Sequence, residues 1–168
     1  RRVAAGRDEG GVRGSRTWAA SKSARTTVEA PASGPMPPSS AGTVVPLGDL
    51  MWADFWWRFA NLKFALTEGD IGWIPYFVQR AEHIHDRHSG GTQHSFPDGK
   101  GPSDVFLERI LACFINDPVG IELLGHFNVD NLSWESDFPH SDSTWPNAPE
   151  VLGDLFARLD DDVINKIT

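Results

Sequence analysis

The chain has 168 residues, enough for one domain that buries roughly two thirds of its unfolded surface, with 15 Lys or Arg against 23 Asp or Glu and a formal net charge of −8. Cys113 is the only cysteine, which excludes an internal disulfide, and there is no run of eighteen apolar residues to form a membrane-crossing helix. Such an acidic chain does not suit nucleic acid, whose phosphates need clustered Lys and Arg, so a reduced, cytoplasmic protein with no nucleic-acid or membrane partner is expected.

The charge is unevenly spread. Residues 1–43 hold seven Lys or Arg against three Asp or Glu, a net +4, and the rest hold eight against twenty, a net −12. The first segment is rich in Arg, Ala, Gly, Ser, Thr and Pro, and has no apolar period long enough for a helix or strand. It reads as a disordered, low-complexity basic extension. Its Arg- and Ser-rich start resembles a transit peptide, but Asp8, Glu9 and Glu29 and the lack of an amphipathic helix count against that. The first residue is Arg1 and not Met, so the true start is expected to lie further upstream.

From Val44 the texture changes, and residues 44–168 hold six of the seven tryptophans and all six histidines. Leu50, Met51, Phe55 and Trp56 lie at helical spacing in a helix predicted over 47–59. Residues 62–67 form a strand closed by Glu68-Gly69-Asp70, and Pro75 opens a helix that runs to about His88. Residues 88–102 are a loop, after which Ser103 can cap a short helix. Strand 110–115 follows, then a helix from Pro118 to near Gly125, strand 131–136, a helix over 149–159 and a last helix opened by Asp160 to Asp162. Strands alternating with helices imply parallel pairing with right-handed crossovers. Three strands leave two open edges, so part of the domain is expected to be absent.

The third strand runs straight into Trp134-Glu135-Ser136-Asp137-Phe138-Pro139-His140-Ser141-Asp142-Ser143-Thr144-Trp145-Pro146. Carboxylates and a histidine at the carboxyl end of a buried strand are the arrangement in which α/β folds keep their chemistry. Asp137 heads the candidates, and a strand-capping carboxylate is the plain alternative. Glu68 occupies the equivalent place after its own strand. His140 and Asp142 follow Asp137 at offsets of three and five, close enough for one loop to gather all three. Trp73, Trp134 and Trp145 offer flat faces for a planar substrate, although such aromatics are often core. Ser141, Ser143 and Thr144 lack the order or elbow of a serine hydrolase. His83 and His85 point about 200° apart on a helix and cannot chelate together. His88 and His94 read as solvated loop residues, and Cys113 as a buried, inert thiol.

Three segments together resemble the amidohydrolase-related family, the branch of the amidohydrolase superfamily that contains aminocarboxymuconate semialdehyde decarboxylase and the resorcylate decarboxylases. They are Leu66 to Phe77, Ala112 to Pro118 and Trp134 to Pro146, in the family's order and spacing. The resemblance covers about residue 44 to the end, while residues 1–43 match nothing in it. It implies an α/β fold, a (β/α)8 TIM barrel, of which this chain holds about strands six to eight. It also implies a divalent metal at the strand ends, zinc first and manganese second. Asp137 then corresponds to the aspartate that touches metal and nucleophile, and Glu68 stands where the family's decarboxylases place a catalytic histidine. Asp70 replaces the second glycine of the usual Glu-Gly-Gly.

The resemblance therefore implies a metal-dependent hydrolase of a small organic substrate, with Asp137 and Glu68 catalytic, Asp137 on the metal, and His140, Asp142 and Trp73 on the substrate. Non-oxidative decarboxylation is the second reading, and a truncated, non-catalytic remnant the third. Asp137 alone leaves the metal short of the three protein ligands that a catalytic zinc needs, so weak binding and no activity are expected of the isolated chain. A homo-oligomer is expected only of a full-length relative.

Overall fold

The computed structural model describes residues 17–19, 39–88, 96–97 and 99–168; His94 and most of the basic segment lie outside them. Four short strands pair in sequence order, all parallel: β1 (Thr17–Ala19), β2 (Lys63–Leu66), β3 (Ile110–Phe114) and β4 (Leu132–Trp134). Between and after them come α1 (Ser39–Met51), α2 (Ile74–His88), α3 (Pro102–Arg109), α4 (Pro118–Glu122), α5 (Ala148–Leu155) and α6 (Asp161–Ile167).

The register explains where the core sits. Phe64 faces Ile110, Leu66 faces Ala112, and Ala112 in turn faces Leu132, so these apolar side chains share one face of the sheet. Together with Phe114 they pack against Met51, Ile74, Val105 and Ile167 from the helices. Each large side chain buried there contributes about 1.5–3 kcal/mol. Ala65, Leu111, Cys113 and Ser133 alternate onto the opposite face, which is mostly small.

The three predicted strands are present, β2 and β4 shortened at both ends and β3 by one residue at its carboxyl end. A fourth strand, β1, lies within the segment expected to be disordered, and the expected boundary at Val44 falls inside α1. Composition hides both, because a three-residue strand has no period and its pairing is tertiary. Thr43 of α1 is buried beside Gly69; a Cβ on that glycine would lie 2.9 Å from the Thr43 hydroxyl, so only glycine lets α1 press on the turn after β2.

Other local differences have clear causes. The helix expected over 47–59 ends at Met51, and a 3-10 turn follows at Asp54–Trp57, where the Trp56 indole N–H donates to the Leu50 carbonyl at 2.7 Å and folds the chain back. Gly101, not Ser103, caps α3: the Asp104 carboxylate accepts the Gly101 N–H at 2.8 Å, and Glu82 of α2 accepts the Ser103 N–H at 3.0 Å. The helix from Pro118 stops at Glu122, because the Leu123 N–H is shared between the carbonyls of Val119 and Gly120 and the next turn tightens to 3-10. No helix among the described residues is long and apolar enough to cross a membrane.

Candidate metal centre

The carboxyl ends of β2, β3 and β4 lie side by side, because parallel strands that start together also end together. Beyond β2 the chain turns through Glu68-Gly69-Asp70 with φ of 57° at Glu68 and 49° at Asp70, and beyond β4 Asp137 has φ of 51°. These are the only non-glycine residues with positive φ among those described, a conformation that costs of order 1–3 kcal/mol unless its surroundings impose it.

The surroundings do impose it. Asp117, which caps α4 by accepting the Gly120 N–H at 2.9 Å, also accepts from Ile71 at 2.7 Å and Gly72 at 2.6 Å. Asp70 accepts the Ile115 N–H at 3.2 Å. The Trp73 indole N–H donates to the carbonyls of Gly69 at 2.8 Å and Asp70 at 3.2 Å, and its ring packs edge-on against Phe77. Glu135 accepts the backbone N–H of Glu68.

On the other side, the Glu135 N–H continues the ladder by donating to Phe114 at 2.9 Å, and the chain then folds back on itself. The His140 N–H donates to the Asp137 carbonyl at 2.8 Å, and Ser143 Oγ donates to the Ser136 carbonyl at 2.7 Å. His140 Nδ1 thereby sits 2.7 Å from Asp137 Oδ1 and 4.0 Å from Glu68 Oε1. Ligand atoms of Glu68, Asp137 and His140 all lie within 4.8 Å of one another. The Asp137 side chain is 6% exposed, Glu68 27% and His140 65%, so the cluster is closed below and open above.

Two carboxylates and an imidazole converging from one side suit a divalent cation, with imidazole and carboxylate serving zinc and carboxylate serving manganese. Glu68, Asp137 and His140 thus form a candidate group of three donors, where the sequence offered Asp137 alone as a ligand.

The electrostatics are strongly one-signed. Residues 67–72, 115–117 and 135–146 carry Glu68, Asp70, Asp117, Glu135, Asp137 and Asp142 with no Lys or Arg. Burial raises the Glu135 carboxyl above its ordinary range, and the charges of Glu68, Asp137 and Asp70 add to this against the lowering effect of the Glu68 N–H. Burial also raises Asp70, helped by Asp117 and Asp142 and opposed by the Ile115 N–H. Burial, and then Glu135, push the Cys113 thiol up to about 12.

Of the residues chosen from sequence, Glu68, Asp137 and His140 come together. Asp142 is exposed on the same loop and close enough to influence Asp70. Trp73 was expected against a substrate; the structure places it under the turn, with its N–H committed to backbone carbonyls. His83 and His85 stay on α2, and the His85 ring packs against Phe96. A cleft of about 450 Å³ between α2 and α3 includes His83 and His126, but none of its lining residues belongs to the strand-end loops. Sequence reasoning passed over Glu135 and gave Asp117 only its place before a helix. The available signal was parity: Ser133 and Glu135 are two apart at the end of β4, so the strand's alternation directs Glu135 to the same face as Ser133.

The amidohydrolase family model matches residues 9–168, which takes in most of the segment expected to match nothing. Among solved structures, an amidohydrolase from Mycobacterium avium subsp. paratuberculosis is 14% identical with a TM-score of 0.63, over 77% of this chain and 32% of that one. A dihydroxybenzoic acid decarboxylase from Polaromonas sp., bound to manganese and the inhibitor 2-nitroresorcinol, is 18% identical with a TM-score of 0.57, over 76% and 37%. A 5-carboxyvanillate decarboxylase from Sphingomonas paucimobilis is 20% identical with a TM-score of 0.56, again over 76% and 37%. A search of curated proteins found no match. The chain thus spans about a third of the length of these structures, and its parallel sheet corresponds to part of their TIM barrel. A family match over nearly the whole sequence, with the acidic cluster at the carboxyl ends of parallel strands, places this chain in the amidohydrolase family.

Proposed function

We propose that this chain carries the metal-holding strand ends of a hydrolase acting on a small organic substrate, with Glu68, Asp137 and His140 holding one divalent ion. The observation that carries this reading is the convergence of those three donors within 4.8 Å at the carboxyl end of the sheet. A divalent ion held there supplies Lewis acidity, lowering the pKa of water or polarising a carbonyl. Asp137, buried and paired with the His140 ring, holds its carboxylate in one orientation and accepts the proton of the attacking water. The exposed His140 and Asp142 meet the substrate from the loop above, and Trp73 keeps the Glu68 turn rigid beneath it.

Decarboxylation is the second reading, favoured by the two aromatic-acid decarboxylases among the similar structures. It ranks lower because six carboxylates and no Lys or Arg line these segments, which opposes an anionic substrate, and because the family resemblance implies a histidine in decarboxylases at the place of Glu68.

The test is to load the 168-residue chain with zinc or manganese and offer aryl esters and lactones beside dihydroxybenzoates. Against the inactivity expected from sequence, the three-donor group leads us to expect metal-dependent hydrolysis that is lost in Asp137→Asn. Carbon dioxide release from a dihydroxybenzoate would put the second reading first, and no metal-dependent turnover of either class would overturn the enzymatic reading of this chain.

A further inference from the structure

Glu68 and Asp137 approach each other across an obstacle. They follow β2 and β4, which are not neighbours in the sheet, because β3 lies between them. Three hydrogen bonds tie the turn after β2 to β3 and its following loop: Asp117 accepts from Ile71 and Gly72, and Asp70 accepts from Ile115. All three lie at Asp70 or beyond, downstream of Glu68. The link that reaches Glu68 itself comes from β4, where the Glu135 side chain passes over the end of β3 and accepts the Glu68 N–H.

That N–H belongs to a residue in left-handed backbone just beyond β2, and the Glu135 carboxylate accepts it. Glu135 itself is held at both ends. Its own N–H donates to the Phe114 carbonyl at 2.9 Å, and its carboxylate is fixed on Glu68, so β4 and the turn after β2 are coupled through one side chain. Asp137 lies two residues further along the same strand end.

We propose that Glu135 is a positioning residue for the metal centre. By holding the Glu68 backbone to β4, it sets the spacing between the Glu68 carboxylate and the Asp137–His140 pair. This rests on the metal reading given above. Groups that orient metal ligands from behind typically alter affinity by about 10–100-fold when removed.

Glu135→Ala and Glu135→Gln separate this role from mere charge, since both remove a negative charge but only Gln keeps an oxygen acceptor at that distance. Mn²⁺ is the probe, titrated into the 168-residue chain and followed by the paramagnetic signal of the free ion. Hydrogen exchange at the Glu68 amide is measured in parallel on metal-free protein. The expected result is a Kd for Mn²⁺ raised about 10–100-fold in Glu135→Ala, with Glu135→Gln at least several-fold tighter than Ala. The Glu68 amide should be protected in the unsubstituted and Gln proteins and exchange faster in Ala.

Equal Mn²⁺ affinity in all three proteins overturns the positioning role and leaves the metal reading standing. Equal weakening in Ala and Gln also overturns it, because charge alone would then account for the loss. No Mn²⁺ binding by the unsubstituted chain overturns the metal reading and the positioning role with it.

Discussion

Glu68, Asp70 and Asp137 adopt a backbone conformation that suits glycine, and each sits where a strand ends. Strain held at such places is a known companion of function. Asp70 shows how the strain is managed: where the family resemblance implies a glycine, it keeps a glycine-like φ of 49°, which Asp tolerates better than most residues. Asp70→Gly should therefore be better tolerated than Asp70→Ala by about 1 kcal/mol in urea unfolding, since both lose the acceptor for Ile115 and only Ala keeps the strain. Cys113 gives a second test at this scale. With a thiol raised to about 12, it stays protonated far above neutral pH, and it is only 6% exposed. Iodoacetamide at pH 8 should leave it unmodified in the folded chain and alkylate it readily in denaturant. Sequence alone made Asp137 and His140 legible, through their spacing after an apolar run. For Glu135 it left only parity with Ser133, because a carboxylate acting on the backbone of a residue 67 positions away leaves no other local mark.

At the level of elements, the strand-end loops are held by carboxylates as much as by the core. Asp117 accepts three backbone N–H groups from two segments, so Asp117→Ala should cost about 2–4 kcal/mol, combining a lost cap with donors left unsatisfied. Denaturant midpoints at unchanged slope would measure it. Gly120→Ala belongs with it: the added Cβ would lie 2.3 Å from Ile71 Cγ1, and overpacking of about 1–3 kcal/mol should appear in the same assay. Strands β2, β3 and β4 and most helices were legible from apolar runs and prolines such as Pro75 and Pro118. The strand Thr17–Ala19 and the break of α1 at Met51 were not, since the first depends on pairing with β2 and the second on the Trp56 indole closing onto Leu50.

At the scale of the molecule, parallel order and a shared register bring three separate segments to one end of the sheet. Sequence motifs identified those segments and the barrel they belong to, and offered Asp137 alone as a metal ligand, to which the proposed cation site adds Glu68 and His140. The central claim is that Glu68, Asp137 and His140 form one cation site. Equilibrium titration of the purified chain with Mn²⁺ tests it most directly. The account predicts one ion per chain, with affinity reduced at least about tenfold by Asp137→Ala, by Glu68→Ala and by His140→Ala while each variant stays folded. Absence of binding, or binding that none of the three substitutions weakens, would contradict it.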